Sequence, residues 1–363
     1  MASFGHGGNA KEISRSKGIN YDDIVDFSAN INPLGMPESA KKAILDNIDL
    51  IEKYPDITYF ELKSSIRDFE NIKICDEQLK IENEDIILGN GAAEVLFNVV
   101  KAVNPKNVLI PAPTFSEYEE SVNAAGGQVN LYYLKEENDF KICEDILEYI
   151  NADLDMMFIC NPNNPTGVIT EKQLLKKILD KSLENKVFVV IDESFLDFKR
   201  EDYSMIEYLN TYENLIIIKS LTKFFAIPGI RVGYALSRST SFVEKVDTIT
   251  PAWNINILGE AAVKSCLKDK EYIEETIDFM EKEKNYLYNE LKEIEKLKIY
   301  KPSVNFILFK IHDDTDLKER LLDRNILIRS CDNYHGLNKS YYRIAVRNHQ
   351  ENMNIISKIK EVL

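Results

Sequence analysis

Hydrophobic residues recur along this chain at two alternating spacings. Short apolar runs that read as buried strands alternate with longer stretches whose apolar positions repeat at helical intervals. The runs are Asp85–Leu88, Asn107–Ile110, Val129–Leu134, Met156–Cys160, Val187–Ile191, Leu215–Ile218 and Val232–Leu236. Helical periodicity covers about 37–52 and 59–71 before and around them, and Ala92–Val103 and Glu171–Glu184 between them. This alternation predicts an α/β fold, a mostly parallel seven-stranded sheet with helices on both faces. The pattern then changes. A long charged helix is predicted over Asp269–Glu293, its apolar stripe carried by Ile273, Ile277, Met280 and Tyr286; three or four short strands and two helices follow. The shift divides the chain into an N-terminal arm (1–36), a large α/β domain (37–265) and a smaller α+β C-terminal domain (266–363).

Composition narrows the function classes. Among 363 residues, 45 are basic and 60 acidic, a net charge of −15. Such a balance argues against a nucleic-acid or anionic-membrane partner, and any anionic ligand must be held by local donors. No apolar run approaches the roughly 18 residues of a membrane span. The opening MASFGHGGNAKE lacks the apolar core of a signal peptide, so a cytoplasmic location is expected. Five single cysteines without a CxxC spacing, and only four histidines, predict neither a disulfide framework nor a metal site.

Ligands of parallel sheets sit beyond the carboxyl ends of the strands, and four predicted strand ends carry polar punctuation. They read Gly89-Asn-Gly91-Ala92-Ala93-Glu94, Asn161-Pro-Asn-Asn-Pro-Thr-Gly167, Asp192-Glu-Ser-Phe195, and Ser220-Leu-Thr222-Lys223 followed by Arg231. Each alone is an ordinary turn, helix cap or solvated charge. Together, in this order, they point to pyridoxal 5′-phosphate chemistry. Lys223 supplies an amine to attach the cofactor aldehyde, and Asp192 a carboxylate for the pyridine nitrogen. Asn161 supplies a donor beside the phenolic oxygen. Gly91, Ala92, Ala93, Ser220, Thr222 and Arg231 offer backbone N–H groups, hydroxyls and one cation for a phosphate. Phe115, after another strand, can stack on a ring.

These motifs resemble the fold-type I pyridoxal-phosphate enzymes of the aminotransferase class I/II group, the match spanning most of the chain. Within that group the sequence is similar to two lines. Tyr54-Pro55 and the late arginines resemble the histidinol-phosphate aminotransferases. The runs His6-Gly-Gly-Asn9, Asp26–Gly35, Ser220–Gly229, Ile328-Arg-Ser-Cys331 and Tyr342–Arg347 resemble the threonine-phosphate decarboxylases of cobalamin biosynthesis. The second resemblance implies decarboxylation of L-threonine O-3-phosphate; the first implies transamination of histidinol phosphate or another anionic amino acid. It further implies that Arg343 grips the substrate carboxylate and Arg329 its phosphate, with His6, Gly7 and Asn32 beside them. Tyr54 is expected, by the same resemblance, to reach the cofactor of a neighbouring subunit in a homodimer with shared active sites. Arg347 and Trp253 carry no assignment from sequence.

Overall fold

The computed structural model describes residues 7–74 and 79–363. In chain order the elements begin with α1 (Ala10–Lys17), β1 (Val25–Asp26), α2 (Glu38–Asp46), α3 (Phe60–Lys73), β2 (Ile86–Gly89) and α4 (Ala92–Val103). Then come β3 (Asn107–Ala112), α5 (Glu117–Ala124), β4 (Gln128–Tyr133), β5 (Met156–Cys160), α6 (Lys172–Glu184) and β6 (Phe188–Asp192). β7 (Leu215–Ser220), α7 (Leu221–Phe224), β8 (Gly233–Leu236), α8 (Thr240–Ile249), α9 (Ile257–Cys266) and α10 (Lys270–Lys292) follow. The chain closes with β9 (Leu297–Ile299), β10 (Phe306–Ile311), α11 (Leu317–Leu322), β11 (Ile326–Leu327), β12 (Arg329–Ser330), β13 (Tyr341–Ala345) and α12 (His349–Val362). No helix among the described residues is long and apolar enough to cross a membrane.

Seven strands form one mixed sheet in the order β2-β8-β7-β6-β5-β3-β4. Only β8 runs against its neighbours; the other pairings are parallel. A parallel sheet must be covered on both faces, and β5 and β7 are buried at every position. Alternation along β5 sends Phe158 to one core, with Val99 and Ile216, and Ile159 to the other, with Ile191 and Ile217.

A second, antiparallel sheet has the order β12-β13-β10-β9, and β1 pairs in parallel with β11. Beyond β1 the N-terminal segment threads between late strands: Phe27 N–H bonds Leu327 O at 2.8 Å, and Ala345 N–H bonds Phe27 O at 2.8 Å. This delivers residues 28–31 to the mouth of the large sheet. Arg347 braces the same segment, its guanidinium on Glu351 at 2.9–3.0 Å and on Asp26 O at 3.1 Å.

The long helix is placed as predicted, and of its expected stripe Met280 is fully buried while the other three pack at the core's edge. Tyr272, Thr276, Met280, Glu283, Lys284, Leu287 and Leu291 are the buried positions, while Ile273, Ile277 and Tyr286 are only partly buried. Polar residues occupy the inward face because they have partners there: Thr276 meets Asn32, and Glu283 meets Asn352 and His349. A count of apolar positions alone rotates the helix by one residue.

Candidate active site

A cavity of about 320 Å³ opens where β5, β6 and β7 end and α4 begins. Its lining brings together Ala92, Ala93, Phe115, Asp192, Ser220, Thr222, Lys223 and Arg231 from the sheet side, and Arg343 from β13.

One end is a cradle for an anion. Gly91 has φ +88°, and a Cβ there would fall 2.3 Å from Arg231 Nη2. At Gly233 a Cβ would fall 2.3 Å from Ala92 N. Only glycine lets the guanidinium and the first N–H groups of α4 approach this closely. Ser220 Oγ and Thr222 Oγ1 are 3.1 Å apart on the same side.

Lys223 Nζ donates to Ser220 Oγ at 3.0 Å and lies 5.5 Å from the Phe195 ring centroid. Burial pushes its pKa below the ordinary 10.5, and Arg231 adds to this, against the opposing pull of Asp192. The result is an amine more readily neutral than a surface lysine, as a nucleophile requires.

Asp192, the last residue of β6, is 8% exposed. Tyr118 Oη donates to its Oδ2 at 2.7 Å and the Ser194 N–H to its Oδ1 at 2.9 Å. Tyr118 is itself fixed by stacking on Phe158, centroids 4.9 Å apart, and by an edge contact with Phe115 at 5.6 Å. Tyr118 was not singled out in the sequence. The available signal is its place three residues after Phe115, at the start of a helix, where both rings face one way.

Three sequence expectations need correction or restriction. Asn161 is fully buried outside the cavity; its Oδ1 accepts from Thr170 N at 2.8 Å and its amide reaches Thr170 O. Asn163 is likewise spent on the loop, bonding Pro113 O and Thr166 Oγ1. Asn164, the asparagine directly before Pro-Thr-Gly, lines the cavity and accepts a hydrogen bond from Arg343 Nη1. The turn after β5 carries the chain three residues further before a side chain can face inward. Asn32 is also elsewhere: its amide contacts Phe224 O, Tyr272 Oη and Thr276 Oγ1 at 2.8–2.9 Å, tying its loop to α7 and α10. Ser28 to Ile31 line the cavity in its stead. His6 lies outside the described residues.

Arg343 is 5% exposed and anchored by Nη2 on Ser28 O at 2.7 Å. Arg329 is its direct partner across the β12–β13 pair, so the two side chains leave the same face of the sheet. Arg329 opens into an adjoining cavity of about 480 Å³ that shares Gly7 and Ser28 with the first. At Gly7 a Cβ would meet Ser28 O at 2.1 Å. Tyr54 is outside both cavities, 79% exposed and packed on Trp253 with centroids 4.8 Å apart.

The donor set fits pyridoxal phosphate: a phosphate cradle that any Cβ would fill, a carboxylate held by neutral donors, an aromatic wall, and one lysine of lowered pKa between them. Comparison with known proteins agrees. The aminotransferase class I and II family model matches residues 22–359. The threonine-phosphate decarboxylase of Salmonella typhimurium is 35% identical over 366 residues, covering 100% of this chain and 98% of that protein. The histidinol-phosphate aminotransferase of Methanococcus aeolicus is 30% identical, covering 98% and 95%. The crystal structure of the histidinol-phosphate aminotransferase from Clostridium acetobutylicum superposes with a TM-score of 0.85 at 33% identity, covering 93% of this chain and 98% of that one. Fold, cradle and similarity over the full length therefore agree: the chain belongs to the aminotransferase class I and II family of pyridoxal-phosphate-dependent enzymes.

Proposed function

We propose that the protein decarboxylates L-threonine O-3-phosphate, giving (R)-1-amino-2-propanol O-2-phosphate and CO2 for cobalamin side-chain synthesis. The observation that carries this reading is the Arg329–Arg343 cross-strand pair, which offers two guanidiniums in adjoining cavities to one small dianionic substrate. Full-length similarity to threonine-phosphate decarboxylases supports the same choice.

In this reading Ala92, Ala93, Ser220, Thr222 and Arg231 hold the cofactor phosphate, with Gly91 leaving room for it. Phe115 would cover the ring, Asp192 would hold its nitrogen, and Asn164 would take the role expected of Asn161 at the phenolic oxygen. The bound cofactor supplies an electron sink for a bond at the substrate Cα. Lys223 Nζ holds the cofactor until substrate arrives and then carries the proton that replaces CO2 at Cα. Arg343 grips the carboxylate bidentately and Arg329 the phosphate. Two grips at opposite ends of a short molecule fix rotation about Cα, and rotation decides whether carboxylate or hydrogen is lost. In a chain of net charge −15 these local cations must draw the anion against the overall field.

A homodimer completes the reading. Leu45, Ile48, Ile51, Tyr54, Ile57, Phe60 and Trp253 are all exposed, and such a concentration of large apolar side chains is suited to a second subunit. Tyr54 would then reach the partner's cofactor phosphate.

The second reading, transamination of histidinol phosphate or another anionic amino acid, is favoured by the aminotransferase relatives. Incubation of the holoenzyme with threonine phosphate separates the two. CO2 release without any oxo acid supports decarboxylation; strict dependence on 2-oxoglutarate overturns it.

A further inference from the structure

The hairpin joining β12 to β13 carries Asn333, Tyr334 and His335 over the gap between the two arginine cavities. Tyr334 lines the same cavity as Lys223 and Arg343. Its ring lies 5.4 Å from the Arg329 guanidinium, which also donates to Asn333 Oδ1 at 2.6 Å. Burial raises the phenol's pKa while Arg343 and Arg329 both pull it down, so the hydroxyl lies within the field of both guanidiniums.

The hairpin is fastened to the opposite wall. His335 Nε2 and Glu119 Oε2, on α5, are 2.7 Å apart. Gly336, φ +83°, lies so close to Tyr133 and Pro113 that a Cβ would touch both, at 3.4 and 3.8 Å. Pro113 opens the loop that carries Phe115, and α5 carries Tyr118. The hairpin tip therefore rests on the elements that form the aromatic wall of the cavity. An exposed contact of this kind contributes little by itself, but it joins the hairpin that carries Asn333 and Tyr334 to α5.

We propose that Tyr334 is a substrate-contacting specificity residue, its hydroxyl donating to the substrate phosphate beside Arg329, and that the Glu119–His335 pair acts as a positioning clamp for it. The inference rests on the reading of a phosphorylated amino-acid substrate. It explains why the hairpin sets a phenol against Arg329 in the cavity that Arg343 lines: a neutral donor can approach an anion already shared by cations without adding to their mutual repulsion.

The test compares dissociation constants of L-threonine O-phosphate and L-threonine for the holoenzyme and its variants, from the absorbance change of the first binding step in stopped flow, before turnover. Tyr334→Phe keeps the ring and removes only the hydroxyl. It is expected to weaken threonine phosphate binding about tenfold and threonine binding less than about twofold. Glu119→Gln and His335→Gln should each weaken threonine phosphate binding about threefold, the double variant no more than the worse single, and Glu119→Asp should restore affinity. Equal loss for both ligands in Tyr334→Phe, or none for the phosphorylated one, overturns the role of Tyr334. Losses that multiply in the double variant overturn the clamp. Failure of the proposed reaction is read separately, as wild-type enzyme that binds threonine phosphate and releases no CO2. Wild-type enzyme with no preference for the phosphorylated ligand overturns the inference.

Discussion

Tyr118 donates its hydroxyl to Asp192 Oδ2 at 2.7 Å, while a backbone N–H from Ser194 occupies the other carboxylate oxygen. Both donors are neutral. A cation in either place would spend the negative charge that, in the proposed reading, serves the cofactor nitrogen; a phenol orients the carboxylate and leaves that charge available. Burial holds the Tyr118 pKa well above 10, so it remains a donor at any working pH. Tyr118→Phe is expected to weaken pyridoxal phosphate binding about tenfold, the worth of one hydrogen bond to a charged group. Titration of the apoenzyme with the cofactor, followed by absorbance, measures this. Unchanged affinity would show Asp192 to be oriented without Tyr118.

Lys223 gives a second test, through pH. Burial, with help from Arg231, lowers its pKa from 10.5, so the neutral amine appears at lower pH than for a surface lysine. The rate of covalent cofactor attachment should rise with pH and level off below 10.5. Arg231→Gln removes one of the lowering charges, and its plateau should move to higher pH. Lys223→Ala should bind the cofactor without the internal aldimine absorbance band, and borohydride should not fix it to the chain. Stopped-flow absorbance on the apoenzyme reads all three.

The two arginines separate by substrate. Arg329→Gln should raise KM for threonine phosphate about tenfold or more, with little change for inhibition by unphosphorylated threonine. Arg343→Lys should weaken both ligands, because the fork that spans Ser28 O and Asn164 Oδ1 cannot be reproduced by an ammonium. Equal effects of the two substitutions on both ligands would contradict distinct subsites.

Much of this was legible in the sequence because burial leaves a strong pattern. Met156–Cys160 reads as a strand and is one, residue for residue, since all five positions are buried. Asp192, Ser220 and Lys223 were found because each stands at or just past such a strand. The misses have a common physical form. Asn161 and Asn164 differ by three residues in a loop, and periodicity ends where the loop begins, so nothing local says which asparagine turns inward. Asn32 reads as a polar residue near glycine, yet it is 2% exposed among partners more than 190 positions away. Tyr118 is hidden in an ordinary amphipathic helix. Arg343, Phe224 and Asp192 fix Asn164, Asn32 and Tyr118 from distant segments, and no short window on the chain contains those pairs; Asn161 is held locally, by Thr170.

Glu136 ties the two sheets together. After β4, its carboxylate accepts from Lys298 at 2.9 Å, Tyr300 at 2.8 Å, Lys310 at 3.0 Å and Tyr341 at 2.6 Å. Burial pushes its pKa up, but these four bonds outweigh it and hold the carboxyl well below the ordinary 4.5. A carboxylate of lowered pKa stabilises the fold above its unfolded value, and that contribution fades as pH falls through the folded one. Glu136→Gln should therefore cost about 1–2 kcal/mol at pH 7, with the difference shrinking as the pH drops below 4.5. Urea unfolding of wild type and variant at pH 7 and pH 3 gives the comparison. An equal gap at both would mean the carboxylate charge is immaterial.

Directly behind the cavity, Lys219 is 1% exposed with its ammonium 3.6 Å from Glu70, 3.4 Å from Glu193 and 3.8 Å from Asp197. Burial disfavours the charge, yet the three carboxylates outweigh it and raise the lysine's pKa above 10.5. Burial raises the pKa of Glu193, which follows Asp192, just as Lys219 precedes Ser220. The network thus sits one residue from the cofactor site on both β6 and β7, on the opposite face of the sheet. Lys219→Met takes the shared cation from the buried Glu70 and Glu193, while the half-buried Asp197 keeps Lys73 at 2.8 Å; the change should destabilise the protein by about 3–5 kcal/mol. A raised lysine pKa contributes below 10.5 and is lost only above the folded value. The loss should accordingly persist up to about pH 9 and shrink at acid pH, where Glu193, its pKa already raised by burial, takes up a proton in the variant. Adding Glu193→Gln to Lys219→Met removes one of the stranded charges and should recover part of the stability, giving a double variant firmer than the single one. Denaturant unfolding of the three proteins settles it: a double variant weaker than Lys219→Met would mean that Glu193 stabilises the fold through Ser204 and the Met205 N–H, independently of the lysine.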